Sequence, residues 1–192
     1  VKIHMNGRAL FGYIRYFAYS VSSIMRFIPN FVLFFVWDIV SIFENRPAVL
    51  MRYCIIRAKA KKCGDNVFLG KNVTIKCIES LELGDNVSIH NNCYIDASGG
   101  IRIRDNVSIA HNSTILSSTH TWADSKVAIK YNIPDFHMTT IDSNVWIGCG
   151  VRIMAGIKIS ENTIVGAGSV CTKSLASGAV YGGIPARMIK SI

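Results

Sequence analysis

The sequence predicts a mainly β fold: a parallel β-helix of about five coils, an N-terminal α-helical extension over 1–62, and one projecting loop over 121–140. Three observations predict it. A short tetrapeptide returns at a long, nearly constant period. An aliphatic residue returns at every sixth position within that period. The net charge is concentrated in the N-terminal part of the chain, most of which has neither repeat.

The extension comes first. Residues 1–76 hold twelve Lys and Arg against Asp38, Glu44 and Asp65, which accounts for the whole net charge of +9, while basic and acidic residues cancel over 77–192. Apolar residues at Leu10, Ile14, Phe17, Val21, Ile24 and Ile28 step by three or four, and Arg8, Gly12, Arg15, Ser22 and Arg26, spaced by three, four or seven, fall on the opposite face, so 8–28 reads as an amphipathic helix. Pro29-Asn30 interrupts it. Residues 31–43 are nearly all apolar, but a bilayer span needs roughly twenty such residues. Extending the run toward Ile24 brings in Arg26, Pro29 and Asn30, and Asp38 lies within it. Pro47 suits the first turn of a further helix, which ends in the basic run from Arg57 to Lys62. Cations set among long apolar runs fit an anionic membrane surface better than nucleic acid. The extension therefore reads as a cap on the β-helix, as a peripheral membrane contact through 8–62, or as both.

The repeat follows. Gly64-Asp-Asn-Val67 recurs as Gly84-Asp-Asn-Val87 and Arg104-Asp-Asn-Val107, twenty residues apart, and then as Asp142-Ser-Asn-Val145 and Ser160-Glu-Asn-Thr163, eighteen apart. Leu83, Ile89 and Ile95 step by six, as do Ile103, Ile109 and Ile115, and the run from Ile141 through Ile147, Ile153 and Ile159 to Val165. This is the pattern of a coil with three flat faces. The aliphatic residue fills the interior, and Asn or Gly supplies the unusual backbone angles of the corners. The coils are 63–82, 83–102, 103–120, 141–158 and 159–176, with Leu81-Glu82 and Ile101-Arg102 as the additions that turn eighteen into twenty. An antiparallel sandwich would show a period of two, not six. Residues 121–140 break the repeat with Trp122, Tyr131, Pro134 and Phe136, a composition and length that point to a functional loop.

Six cysteines form no CxxC pair and no zinc spacing. They read as small buried groups in a reducing compartment. No small-residue cleavage site follows the apolar segment. The expected location is cytoplasmic, with a possible peripheral position at the inner face of the membrane.

Five motifs remain: Ser118-Thr-His120, Asn144-Val-Trp-Ile-Gly148, the run from Gly166 to Lys173, Gly183-Ile-Pro-Ala-Arg187, and the repeat itself. With them, residues 63–192 resemble the hexapeptide-repeat acyltransferase family, in particular the galactoside, maltose and polysaccharide O-acetyltransferases. The resemblance implies a left-handed β-helix, against the usual right-handed crossover. It also implies acetyl-CoA as co-substrate, no metal, and a homotrimer with its sites between subunits. By the same resemblance His120 is the general base and Trp146 lines the catalytic cleft. Gly148 and Cys149 offer a backbone amide to the thioester. Ala167, Gly168, Thr172 and Lys173 meet pantetheine and phosphate, and Arg187 and Lys190 stand near the nucleotide. His90 falls where sugar acetyltransferases carry an acceptor-binding asparagine. It and Trp122 of the loop are the candidate acceptor contacts.

The chemistry suits these residue types. Imidazole titrates near pH 6.5 and as a general base contributes about 10²–10⁴-fold. A backbone N–H can hold an oxyanion, and Lys or Arg can pair with phosphates. Asp124 and Asp135 are the loop carboxylates available to orient His120. The expected reaction is acetyl transfer to a sugar hydroxyl, in a bacterial surface polysaccharide or its lipid-linked precursor. Three other readings stay open: N-acetylation of an amino sugar, a non-catalytic scaffold, and a zinc site, whose paired histidines five apart are missing from the series His90, His111 and His120.

Overall fold

The computed structural model describes residues 7–192; Lys2 and His4 lie outside the described residues. Three helices, α1 (Gly7–Met25), α2 (Asn30–Ser41) and α3 (Arg46–Lys59), precede a stack of short parallel strands. Pro29 ends the first helical stretch and Asn45 caps α3, its side chain accepting from the Ala48 N–H at 2.9 Å.

The strands form three faces. Face A stacks Lys62–Cys63, Leu81–Leu83, Ile101–Ile103, Thr139–Ile141 and Lys158–Ile159. Face B stacks Phe68–Leu69, Ser88–Ile89, Ser108–Ile109, Val145–Ile147, Thr163–Val165 and Ala179–Gly182. Face C stacks Thr74–Lys76, Tyr94–Asp96, Thr114–Leu116, Arg152–Ile153 and Val170–Cys171. The register follows the six-residue step. On face B, Ile89 pairs with Ile109, Ile109 with Ile147 and Ile147 with Val165, and all four are fully buried. The fold is thus the β-solenoid that the period of six predicts.

Asparagine makes the corners. Asn66, Asn86, Asn106, Asn144 and Asn162 between faces A and B all have φ of 53–58°. At that left-handed angle asparagine is among the few non-glycine residues that sit readily. Their amides bond along the stack, Asn66 to Asn86 at 3.0 Å, Asn86 to Asn106 at 3.1 Å and Asn144 to Asn162 at 2.7 Å. Asn72, Asn92 and Asn112 repeat the device between faces B and C, and Gly150 and Gly168 replace them in the later coils.

Two details differ from the sequence reading. First, the solenoid has about six turns. Leu175 bridges to Ile159 on face A, and Ala179–Gly182 adds a strand to face B, covered in turn by the antiparallel Arg187–Ser191. Leu175 and Tyr181 stand six apart, but each lies sixteen residues after its partner, Ile159 and Val165, so the last turn is shorter than the eighteen-residue coils before it. Second, the extra residues of the twenty-residue coils are not Leu81-Glu82 or Ile101-Arg102. Those residues are ordinary face A strand, paired with each other. The additions sit in the corner between faces C and A, where Ile78–Ser80 form a 3₁₀ turn and Ala97 to Gly100 a tight turn. The same corner releases the long loop.

The helices close the open end of the first coil, which would otherwise expose its interior. Trp37 donates to the Val73 carbonyl at 3.3 Å, and Tyr19 donates to Asp65. Arg52 is fully buried, donating to the carbonyls of Leu69 (2.9 Å), Phe43 (2.9 Å) and Val40. The last two lie at the end of α2, where a cation complements the helix dipole. One of the extension's cations is therefore an internal fastener. All six cysteines are free thiols, three of them buried.

Face A carries an ionic ladder on its outer side. Glu82 lies between Lys61 (2.9 Å) and Arg102 (2.8 Å). The hydrogen bonds from Arg102 and then Lys61 push its carboxyl down to about 2. A depressed carboxyl stabilises the fold above its unfolded pKa of about 4.3, and that contribution fades as pH falls toward 2. Allowing for solvent screening, we expect Glu82→Gln to cost about 1–2 kcal/mol at pH 7 and almost nothing near pH 2. Denaturant titrations of both proteins across this range check it; a pH-independent difference contradicts it.

Candidate active site

The projecting loop leaves the third coil at Ser118 and returns at Thr139. Its base is a two-strand clip, Ser118–Thr119 antiparallel to Asp135–Phe136. Asp96, buried at the end of face C, anchors the departing strand: its carboxylate accepts from the Ser98 amide (3.1 Å), the Ser98 hydroxyl and the Ser118 hydroxyl (2.9 Å). These donors, with Lys76 nearby, outweigh the opposing effect of burial, which is the largest single influence, and hold its pKa below the ordinary aspartate value. On the return side His137 lies against Gly156, whose added Cβ would come within 3.1 Å of it.

His120 stands one residue beyond that clip, exposed, and lines a cavity of about 620 Å³. The walls are loop residues, among them Thr121, Trp122, Asp124, Tyr131 and Ile133. Trp122 is 76 % exposed, an aromatic platform beside the imidazole rather than part of a core. The hub of the loop is Asn132, buried, which reading the sequence did not single out. Its Oδ1 accepts from the Asp124 N–H at 2.9 Å, and its Nδ2 donates to the carbonyls of Asp124 (3.2 Å) and Val127 (3.0 Å). No periodic signal marks such a residue, because the loop stands outside the repeat. The two carboxylates offered as partners for His120 line the same cavity. Asp124 accepts from the Lys126 amide at 2.9 Å, and Asp135 lies in the clip opposite Thr119. Among the described residues neither bonds to the imidazole.

A second group of candidates gathers at another edge. Gly148-Cys149-Gly150 and Gly166-Ala167-Gly168 are stacked corners between faces B and C, joined by the Gly168 N–H to the Cys149 carbonyl at 2.8 Å. Side chains are excluded here. A Cβ on Gly148 would lie 2.6 Å from the Ala167 nitrogen, and Gly150 and Gly168 have φ of 68° and 70°. Gly148 is buried under the next coil, and the exposed part of the wall carries no side chain larger than those of Cys149 and Ala167. In the first coil the equivalent N–H, that of Lys71, is satisfied by the Asn91 side chain at 3.0 Å. In the later coils the equivalent N–H groups, those of Asn91, His111, Cys149 and Ala167, have no protein partner among the described residues. Trp146 projects outward from face B of the same coil, 54 % exposed, between Ser108 and Ile164. His90 occupies this B–C edge two coils earlier, against the Phe68 ring at 5.5 Å. Partial shielding, and then the neighbouring His111, lower its pKa from the ordinary imidazole value.

The cationic candidates lie farther along. Thr172 and Lys173 follow face C of the fifth coil and are exposed. Arg187 and Lys190 are on the terminal strand, opposite Gly182 and Val180. Among the described residues none of these three cations forms an ion pair. Bare N–H donors and unpaired cations fit a co-substrate that brings amides, a thioester carbonyl and phosphates.

Within one chain, then, Trp146, Gly148, Cys149, Ala167 and Gly168 come together at the B–C side, whereas His120 and Trp122 leave from the C–A edge. Face C separates the two groups.

Comparisons with known proteins agree with this architecture. Residues 138–173 match the bacterial transferase hexapeptide (six repeats), and residues 62–97 match the hexapeptide repeat of succinyl-transferase. The galactoside O-acetyltransferase of Escherichia coli (strain K12) is 45% identical over 53 residues, 28% of this chain and 26% of that protein. The chain thus spans about a quarter of the length of that curated relative. A maltose O-acetyltransferase structure from Clostridium difficile 630 matches 95% of this chain and 88% of its own, at 26% identity and a TM-score of 0.69. A galactoside acetyltransferase structure in complex with coenzyme A matches 81% and 77%, at 28% identity and a TM-score of 0.73.

Asn132→Ala removes the buried hub of the loop without touching the solenoid. We expect at least about tenfold faster proteolysis within 121–133, with global stability lowered by no more than about 1–2 kcal/mol. Limited proteolysis beside thermal melting checks this; an unchanged cleavage rate contradicts the hub assignment. Repeat, coil register and structural neighbours agree: the chain carries hexapeptide repeats over 62–97 and 138–173 and is similar in fold to the galactoside and maltose acetyltransferases.

Proposed function

We propose that the protein transfers an acetyl group from acetyl-CoA to a hydroxyl of a sugar, with His120 as general base. The observation that carries this reading is the pairing of an exposed histidine that lines a loop cavity with a corner wall that has unpartnered N–H groups.

His120 takes the proton of the acceptor hydroxyl as its oxygen adds to the thioester carbonyl. The Cys149 N–H stabilises the resulting oxyanion. Collapse breaks the carbon–sulfur bond, and the imidazolium returns its proton to the departing thiolate. Gly148, Ala167 and Gly168 let the pantetheine arm lie against the wall, Trp146 flanks it, and Thr172, Lys173, Arg187 and Lys190 meet its phosphates. Trp122 and His90 contact the acceptor, the indole offering the stacking surface that a sugar ring's C–H face seeks. Because the two groups leave from different edges of one chain, a working site takes its base from one subunit and its wall from the next, as a homotrimer permits. The basic, apolar extension favours an acceptor met at a membrane surface, such as a surface polysaccharide or its lipid-linked precursor.

The test is an acceptor screen with acetyl-CoA over neutral and amino sugars, comparing wild type with His120→Ala. We expect O-acetylation that falls about 10²–10⁴-fold in the variant while acetyl-CoA binding persists. Undiminished transfer by the variant removes the general-base role, and transfer to amines alone removes the hydroxyl acceptor.

A further inference from the structure

Two fully buried hydroxyls stand at the root of the projecting loop: Ser117, the last residue before the loop leaves, and Thr139, where it returns. Thr139 pairs with Ile101, which pairs with Leu81, so it fills a place that the two coils below give to an aliphatic side chain. Ser117 follows its face C strand as Ala97 does one coil below. Packing alone needs no polar group at either place. A hydroxyl buried there costs free energy unless it is bonded, and each of these two is bonded twice.

Thr139 Oγ1 donates to the Leu116 carbonyl at 2.7 Å and accepts from the Gly156 N–H at 3.1 Å. Ser117 Oγ donates to the Asp96 carbonyl at 2.6 Å and accepts from the Gly99 N–H at 2.8 Å. The bond to Leu116 takes the place of a main-chain one. Lys76 and Asp96 precede Leu116 in the same register, and their carbonyls accept the N–H groups of Ala97 (3.1 Å) and Ser117 (3.0 Å). Main-chain bonds also tie the returning leg: the His137 N–H donates to the Ser117 carbonyl at 2.8 Å and the Thr139 N–H to the Gly100 carbonyl at 3.1 Å. The legs press on Gly99 as well, where an added Cβ would come within 2.7 Å of both the Ser117 oxygen and the His137 nitrogen. Neither leg can shift without breaking bonds to a neighbouring coil.

We propose that Ser117, Thr139 and Gly99 are positioning residues for acetyl transfer. They make the root of the loop a fixed mount, so that His120, three residues beyond Ser117, keeps one place on the C–A edge while co-substrate and acceptor come and go. The proposal rests on the reading of His120 as the general base. None of the three lines the loop cavity, so each acts through the chain that carries the imidazole. A general base works only within hydrogen-bond reach of the proton it takes. A misplacement of about 1 Å at a reacting group can cost about 10²-fold in rate. The segment beyond the clip is exposed, so the accuracy of its placement comes from its root. A hydroxyl serves there because its donor and acceptor directions fix the chain at two points, where an aliphatic side chain would only fill the space.

Thr139→Val and Ser117→Ala test it in the full chain. Both should fold, since Ile101 and Ala97 already hold the equivalent places one coil below; should Thr139→Val not fold, Ser117→Ala decides. Amide hydrogen exchange, which needs no substrate, should quicken at least about tenfold over 117–121 and 136–140 and stay as in wild type over 63–96. Transfer from acetyl-CoA to the sugar that wild type uses should lose about tenfold or more in kcat, with KM for acetyl-CoA within about twofold of wild type. Thr139→Ser, which keeps the hydroxyl, should restore both readings. Unchanged exchange, quicker exchange with undiminished kcat, or a loss carried by KM instead of kcat would each overturn the proposal. So would a loss that Thr139→Ser leaves unrepaired, by making the methyl group the requirement. Wild type that transfers to no sugar would overturn the general-base reading and with it the catalytic purpose of the mount, and the exchange measurement tells that failure apart from failure of the mount itself.

Discussion

The interior ladder of aliphatic side chains governs this structure. Ile89, Ile109, Ile147 and Val165 stack directly above one another, and Ile95, Ile115, Ile153 and Cys171 do the same on the adjoining face. Shifting any coil by one residue would turn this series outward, so the register is fixed by burial. The corners are then fixed as well, because every sixth residue must return to the interior. Asparagine and glycine fall at the left-handed positions because other residue types are strained there.

A scaffold with so rigid a period leaves little room for chemistry on its faces, and the candidate site lies on its corners. The corner between faces C and A tolerates extra chain, shown by the turns after Cys77 and Ala97 and by the long loop after Ser118. The corner between faces B and C does the reverse. It loses its asparagines in the later coils and becomes a bare wall of Gly148, Cys149, Ala167 and Gly168. An insertion that presents an exposed histidine and a corner that presents hydrogen-bond donors suit the two halves of the proposed acyl transfer.

The coils were legible in the sequence because each face sends a single aliphatic residue inward at an unvarying step. The sixth turn was not, because the register shortens to sixteen residues, from Ile159 to Leu175 and from Val165 to Tyr181, after the tetrapeptide has ended, and the last strand runs antiparallel. The extra residues were placed on the strands and not in the corner because Leu81 and Ile101 are as aliphatic as their neighbours; only the pairing register separates strand from turn. The helices followed from periodicity, but the faces of the first did not, since Ser22 of the expected polar face is buried while Phe17 and Ile24 of the expected apolar face are exposed; nor did the internal role of Arg52, since a buried arginine and a surface arginine look alike in one dimension. For the site, the position of His120 just before the interruption was readable. The anchoring of its strand by Asp96 and of its loop by Asn132 was not, because both act through contacts between segments that share no local pattern.

The central claim is that one functional centre combines the His120 loop of one chain with the bare B–C wall of another. Its most direct measurement is complementation between two inactive chains. One carries His120→Ala; the other carries Ala167→Trp, an exposed position where an indole would cover the wall. Each alone should lack sugar acetylation. After the two are mixed, dissociated and reassembled, activity should return to a sizeable fraction of wild type, since some interfaces then pair an intact His120 with an intact wall. Reassembled mixtures that stay as inactive as their parents would contradict a shared centre and place both halves of the chemistry within a single chain.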